Sequence, residues 1–115
     1  MEWYPQLYVG KQVSKKRKQI VWKIRHHKKV YDVYLITLAS NGKDMFDIFL
    51  AGYFSFPALE RNCPLIVGIA GSHFEAVNLA VTIVEEVYRK TGNADARTYL
   101  EEMMEQYRQE RKRQV

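Results

Sequence analysis

Residues 65–92 read LIVGIAGSHFEAVNLAVTIVEEVYRKTG and carry the strongest structural signal in the chain. The first six residues are almost entirely apolar, which is typical of a strand that is covered on both faces. Ser72 and Glu75 form the S-x-x-E pattern that caps the start of a helix, and Gly92 stands where a helix commonly ends. The stretch therefore predicts a strand, a tight turn and a helix from Ser72 to Thr91.

The predicted helix has two apolar stripes. One stripe contains Phe74, Val77, Val81, Val84 and Tyr88, and the other contains Ala76, Ala80, Ile83 and Val87. A helix that is apolar around most of its circumference must be covered on two sides. We expect the sheet to cover one stripe, and the C-terminal segment from Ala94 to cover only part of the other. A second copy of the chain would complete that cover, which predicts a homodimer.

Apolar patterns predict further elements on both sides of this stretch. Leu7–Val9 predicts a brief strand, and residues 30–39 (VYDVYLITLA) predict a strand that is buried on both faces. Val13, Ile20 and Ile24 form a narrow apolar stripe that favours a helix over residues 14–29, although a strand through residues 20–24 also fits. Residues 94–113 predict a final helix.

Residues 41–54 allow two structures. The Asn41-Gly42 pair is typical of a β-hairpin. In contrast, the apolar residues recur at helical spacing, at Met45, Phe46, Phe49, Leu50, Tyr53 and Phe54. We expect a helix that ends before Pro57, and the hairpin strand remains the alternative.

These elements follow the order β-α-β-α-β-α-α within a single domain, residues 1–115. Nearly continuous apolar strands that are joined by long connections favour a parallel sheet. The predicted fold class is therefore α/β, with a small three-stranded, mostly parallel sheet and about four helices.

The charge of the chain is concentrated at its N-terminal end. Residues 1–31 contain nine Lys or Arg residues and one acid, a net charge of +8. Residues 32–115 contain nine basic and twelve acidic residues, a net charge of −3. Such a basic block either lies on a solvent-exposed surface or binds an anionic partner.

Composition excludes several classes of protein. With 47% apolar residues the chain is globular, and no apolar run approaches the ~20 residues of a membrane span. The first ten residues lack the basic and apolar regions of a secretory signal, so none is expected. One cysteine, Cys63, cannot form an internal disulfide, which suits a reducing, cytoplasmic setting.

The basic helix offers the first candidate site. In the helical interpretation, Lys15, Lys18, Trp22, Arg25 and Lys29 share a face that points away from the apolar stripe. Trp22 could stack on a nucleic-acid base while the cations hold phosphates. It could also pack across an oligomer contact, or lie in the core if the helix phase is different.

The second candidate is an anion site at one edge of the sheet. The carboxyl ends of parallel strands meet at the same edge, which would bring Ser40 and Asn41 close to Gly71, Ser72 and His73. The N–H groups at the capped helix start can hold an anion. No nucleotide-binding, catalytic or metal-ligand motif accompanies these residues, so we expect no metal and no cofactor and lean against an enzyme.

The chain also resembles a family of short, uncharacterised bacterial proteins, mostly from Gram-positive anaerobes. The resemblance covers roughly residues 7–100 and rests on Leu7–Gly10, the basic block at 15–23, VYLITLASN at 33–41, VGIA at 67–70, IVEEVY at 83–88 and Thr91-Gly92. It implies a cytoplasmic bacterial protein of unknown role and transfers no active-site residue.

Three functions follow as hypotheses. The first is a small non-enzymatic interaction module whose basic N-terminal helix meets an acidic or phosphorylated partner. The second is a nucleic-acid-binding protein that uses Trp22 and the surrounding Lys and Arg residues. The third is a ligand binder or enzyme with an anion site at Gly71-Ser72.

Overall fold

The computed structural model describes residues 1–41, 44–52 and 63–113. Its strands are β1 (Trp3–Val9), β2 (Tyr34–Leu38), β3 (Phe46–Leu50) and β4 (Ile66–Ala70). Its α-helices are α1 (Arg17–Arg25), α2 (His73–Thr91) and α3 (Ala96–Arg113), and a 3-10 turn at Ser14–Lys16 leads into α1. None of the helices within these ranges is long and apolar enough to cross a membrane.

The four strands form one mixed sheet in the order β1-β4-β2-β3. Only β1 and β4 run parallel, whereas β2 is antiparallel to both β3 and β4. The predicted three-stranded, mostly parallel sheet with four helices is therefore wrong. The described part of the chain has one more strand and one fewer α-helix, because a segment that we assigned to a helix is a strand.

That segment is β3. All five of its residues pair with β2, from Phe46 opposite Leu38 to Leu50 opposite Tyr34. The Asn41 side chain accepts a hydrogen bond from the Asp44 backbone N–H and closes the turn between the two strands. A helix would also satisfy the backbone groups of this segment, so the difference lies in tertiary contacts. As a strand, the segment packs Phe46 and Ile48 against one apolar core and Phe49 against the other. Gly42, Tyr53 and Phe54 lie outside the described residues.

The sheet separates two apolar cores. On one face α1 packs its buried residues Ile20 and Ile24 against strand residues such as Leu35 and Ile69. On the other face α2 and α3 cover the sheet, with the buried residues Ile36, Val67, Ile83, Val87, Leu100 and Met104 between them. The described elements therefore form three layers, with α1 on one side of the sheet and α2 and α3 on the other.

Helix α2 confirms the prediction from residues 65–92. The Ser72 hydroxyl accepts the Glu75 backbone N–H at 3.1 Å, and Gly92 adopts the left-handed conformation with φ 75°. The stripe that contains Ala76, Ile83 and Val87 is buried in the core.

Helix α1 confirms its predicted apolar stripe and corrects its length. Val13, Ile20 and Ile24 are all buried. The helix ends at Arg25, and His27 has φ 57°, which turns the chain out of the helix. The predicted helix over residues 14–29 is therefore shorter, and Lys29 lies beyond its end.

Candidate functional site

An open groove with a volume of about 650 Å³ lies where β1, α1 and the end of α3 meet. We call it the aromatic groove. Strand β1 contributes Trp3, Tyr4, Pro5 and Leu7. The first helix and its cap contribute Arg17, Lys18, Val21, Trp22, Arg25 and His26, and α3 contributes Tyr107, Glu110 and Arg111.

Trp22 is the exposed aromatic surface of this groove. Its side chain is 53% exposed, and its ring lies 4.3 Å from the His26 ring at an interplanar angle of 23°. His26 is held in place at the end of α1, because its Nδ1 lies 2.8 Å from the Trp22 carbonyl oxygen. The two side chains form a stacked pair of flat rings whose indole remains open to solvent.

Trp3 forms a second aromatic wall. Strand β1 is an edge strand, and Trp3 is paired with Ile66 of β4, which holds the indole beside α1. The Arg25 guanidinium lies 5.7 Å from the centre of the Trp3 ring, a cation–π distance. The Trp3 indole nitrogen is buried and finds no hydrogen-bond acceptor among the described residues.

Tyr4 and Tyr107 join the aromatic rings of the groove to the core. Their rings meet edge to face at 5.9 Å. Burial raises the pKa of the Tyr4 phenol well above its ordinary value, and the neighbouring Tyr107 and Tyr8 phenols act in the same direction. Burial also raises the pKa of Tyr8, to about 12. The Tyr4 and Tyr8 phenols therefore stay neutral near pH 7.

The groove is strongly basic. Among the described residues that line it, Arg17, Lys18, Arg25 and Arg111 are accompanied by one carboxylate, that of Glu110. None of the nine basic residues between 11 and 29 forms an ion pair with a carboxylate in the parts of the chain that the structure describes. Flat aromatic surface and uncompensated positive charge thus occur in the same groove.

The structure brings together part of the predicted basic face. Lys18, Trp22 and Arg25 line the aromatic groove, whereas Lys15 lies in the 3-10 turn outside it. Lys29 lines a smaller cavity of about 230 Å³ beside Tyr31.

Sequence reasoning missed the contributions of β1 and α3 to the groove. Trp3, Tyr107 and Arg111 lie far apart in sequence and meet α1 only through tertiary packing. The aromatic pair Trp3-Tyr4 before Pro5 was a visible signal, but nothing local indicated which surface it would join.

The predicted anion site is divided between the two ends of the sheet. Because β2 and β4 run antiparallel, Ser40 and Asn41 follow the opposite end of the sheet from Gly71, Ser72 and His73. Ser40 donates its backbone N–H to the Asp47 carboxylate, and the His73 ring contacts the Tyr34 ring at 5.9 Å.

A side chain of the protein already occupies the start of α2. The Glu75 carboxylate accepts the Gly71 backbone N–H at 2.9 Å and the Gln12 backbone N–H at 3.0 Å. A Cβ at Gly10 would collide with this carboxylate, so glycine leaves room for it. An external anion at Gly71-Ser72 would first have to displace Glu75.

Comparison with known proteins identifies no relative. No protein-family model, curated protein or solved structure matches the chain. The resemblance to a bacterial family therefore stays a prediction. The aromatic groove is the structural feature that bears on function. Across residues 1–41, 44–52 and 63–113, no three His, Cys, Asp or Glu side chains cluster as metal ligands.

Proposed function

We propose that this protein is a non-enzymatic binding protein and that single-stranded nucleic acid binds in its aromatic groove. The observation that carries the proposal is the half-exposed Trp22 ring, stacked on His26 beside four basic residues of the groove. The single cysteine of the chain supports the cytoplasm as its compartment.

Stacking is the first requirement of single-strand binding. Every base has a flat aromatic face, so an indole that is exposed on one face can accept any base without reading its sequence. The His26 ring covers part of the Trp22 indole and holds its orientation, which lowers the entropy that is lost on binding. Trp3, with Arg25 against its ring, supplies a second wall of the same groove.

Phosphate binding is the second requirement. Arg17, Lys18 and Arg25 project from one helix, and Arg111 reaches the groove from α3. A single strand whose bases contact Trp22 would carry its phosphates past these cations. Because no carboxylate is paired with the α1 cations in the described ranges, binding would not have to break an existing ion pair.

Tryptophan fluorescence tests the proposal directly, because the chain has two tryptophans and both line the groove. An oligothymidylate of about 15 nucleotides should quench this fluorescence. Trp22→Ala should weaken binding about 5- to 150-fold, measured by anisotropy of a labelled oligonucleotide. Tyr31→Ala is the matched control, because Tyr31 is 76% exposed but lies outside the groove.

The salt dependence tests the cations. Four phosphate contacts predict a slope of log K against log salt concentration of about −3. Replacing Lys18 and Arg25 with Gln should reduce that slope by about half. The control replaces Lys16 and Lys23 with Gln. These two residues lie on the same segment but outside the groove, so the slope should change little. Equal effects of the two double replacements on the slope, or no effect of Trp22→Ala on affinity, would contradict specific binding in the groove.

A second candidate ligand is an acidic or phosphorylated segment of a partner protein. The observation that favours it is the position of β1 at the edge of the sheet, where an extended peptide could pair with the strand beside the cations. A phosphoserine peptide that displaces the oligonucleotide, and whose binding Trp22→Ala leaves unchanged, would favour this candidate.

A further inference from the structure

Helix α2 presents an apolar stripe to solvent beside its buried stripe of Ala76, Ile83 and Val87. Phe74 is 78% exposed, Val77 41%, Val81 50% and Tyr88 58%. With Val84, which is half-buried, these residues have the alternating spacing of three and four that defines a coiled-coil seam. Such a seam is the surface on which a helix accepts another helix.

The seam is arranged symmetrically about Val81. Phe74 lies seven residues before Val81 and Tyr88 lies seven residues after it. An identical helix that runs in the opposite direction therefore brings Phe74 to the partner's Tyr88 at both ends. The seam spans about 21 Å between these two aromatic side chains.

The polar residues beside the seam fit the same arrangement. Asn78 and Glu85 are exposed on one flank of α2. When the two helices run antiparallel around Val81, the Asn78 amide lies opposite the partner's Glu85 carboxylate, which it can hydrogen-bond. Antiparallel helices also bring opposite ends of their dipoles together, whereas parallel helices would align like ends.

The apolar surface continues from α2 onto the sheet. The His73 ring contacts Tyr34, and Tyr34 pairs with Leu50 of β3, which is 41% exposed. The strand β3 is at the opposite edge of the sheet from β1 and the aromatic groove. A partner on this face would leave the groove open.

We propose that this face binds a second copy of the chain, as a two-fold dimer with α2 antiparallel to the partner's α2 and the axis beside Val81. The same patch serves both copies, so the contact closes on itself and gives a dimer instead of a filament. The proposal does not depend on what binds in the groove.

Sedimentation velocity tests the dimer in the micromolar range, with circular dichroism to check the fold. The wild type should sediment as a dimer. Val81→Glu places two carboxylates beside the axis and should raise the dissociation constant at least about 100-fold with helix content unchanged. Thr82→Glu is the matched control, because it adds the same charge one residue away from the seam and should leave the dimer intact.

A charge exchange tests the direction of the helices. Phe74→Lys alone and Tyr88→Glu alone should each weaken the dimer, because each leaves a charge opposite an aromatic ring. The double variant should recover it, because opposite charges then face each other across the interface. A monomeric wild type at every concentration, equal effects of Val81→Glu and Thr82→Glu, or no recovery in the double variant would overturn the proposal.

Discussion

The basic residues of α1 and those of α2 and α3 differ in what they contact. Lys90 pairs with Glu86 at 2.9 Å and Arg97 pairs with Glu101 at 3.1 Å. Arg108 binds both Glu2 and Glu105. The cations of α1, in contrast, form no ion pair with a carboxylate of the described residues. Arg97 and Arg108 of α3 therefore hold the fold together. The cations of α1 are available to a ligand, as is Arg111 near the end of α3.

The largest expected effect is at Arg97. Its guanidinium donates to the carbonyl oxygens of Ala39 at 2.6 Å and Asp44 at 3.3 Å, and so joins the start of α3 to the turn between β2 and β3. Arg97→Ala should lower the free energy of unfolding by about 2 kcal/mol, measured by urea denaturation. Lys18→Ala is the control, and an equal loss there would remove the distinction between the two regions.

Arg108 should have a smaller, pH-dependent effect. Arg108→Ala should cost about 0.5 to 1 kcal/mol at pH 7, since the pair with Glu2 is partly exposed. The hydrogen bond from Arg108 lowers the pKa of Glu2 below its ordinary value of 4.5. The stabilisation is therefore present above about pH 4.5 and is lost as the pH falls through the lowered pKa.

Denaturation at several pH values below 5 checks the sign of this effect. The wild type should lose stability faster than Arg108→Ala as the solution becomes more acidic. Parallel curves for the two proteins would mean that the pair contributes nothing to the fold.

The smallest effect on stability is expected for the exposed cations in and beside α1. Reversing Lys15, Lys18, Arg25 and Lys29 to Glu should change the free energy of unfolding by about 0.5 kcal/mol or less per residue, because all four are exposed. The same variant should lose binding to any polyanion. Thermal denaturation and the oligonucleotide titration together check this, and a collapse of the fold would show that these cations are structural.

Local signals predicted α1, α2 and α3, although they placed the end of α1 too late and predicted a helix at the position of β3. The Ser72 cap, the end of α2 at Gly92 and the buried stripe of Val13, Ile20 and Ile24 all depend on residues within a few turns of each other. The sheet could not be predicted in this way. The antiparallel pairing of β2 with β3 is made of hydrogen bonds between two separate segments, which no local pattern specifies. The apolar spacing within Phe46–Leu50 also fits a helix.

The candidate site was predicted only where it lies on one helix. Lys18, Trp22 and Arg25 follow from the helical spacing, but Trp3 enters the groove because β1 pairs with β4, more than 60 residues away in sequence. The Glu75 carboxylate likewise binds Gln12 across a separation of 63 residues. Contacts of this range carry no periodic signal, so a single sequence does not show them.

The pairing of β1 with β4 also sets an order for folding. Strand β1 leaves the ribosome before the other described strands, yet its strand partner β4 begins at Ile66 and its helix contact, Tyr107, comes later still. Because distant contacts form slowly, β2, β3 and β4 should assemble before β1 joins them. Because the aromatic groove needs β1, α1 and the end of α3 together, it should be among the last parts of the molecule to be completed during synthesis.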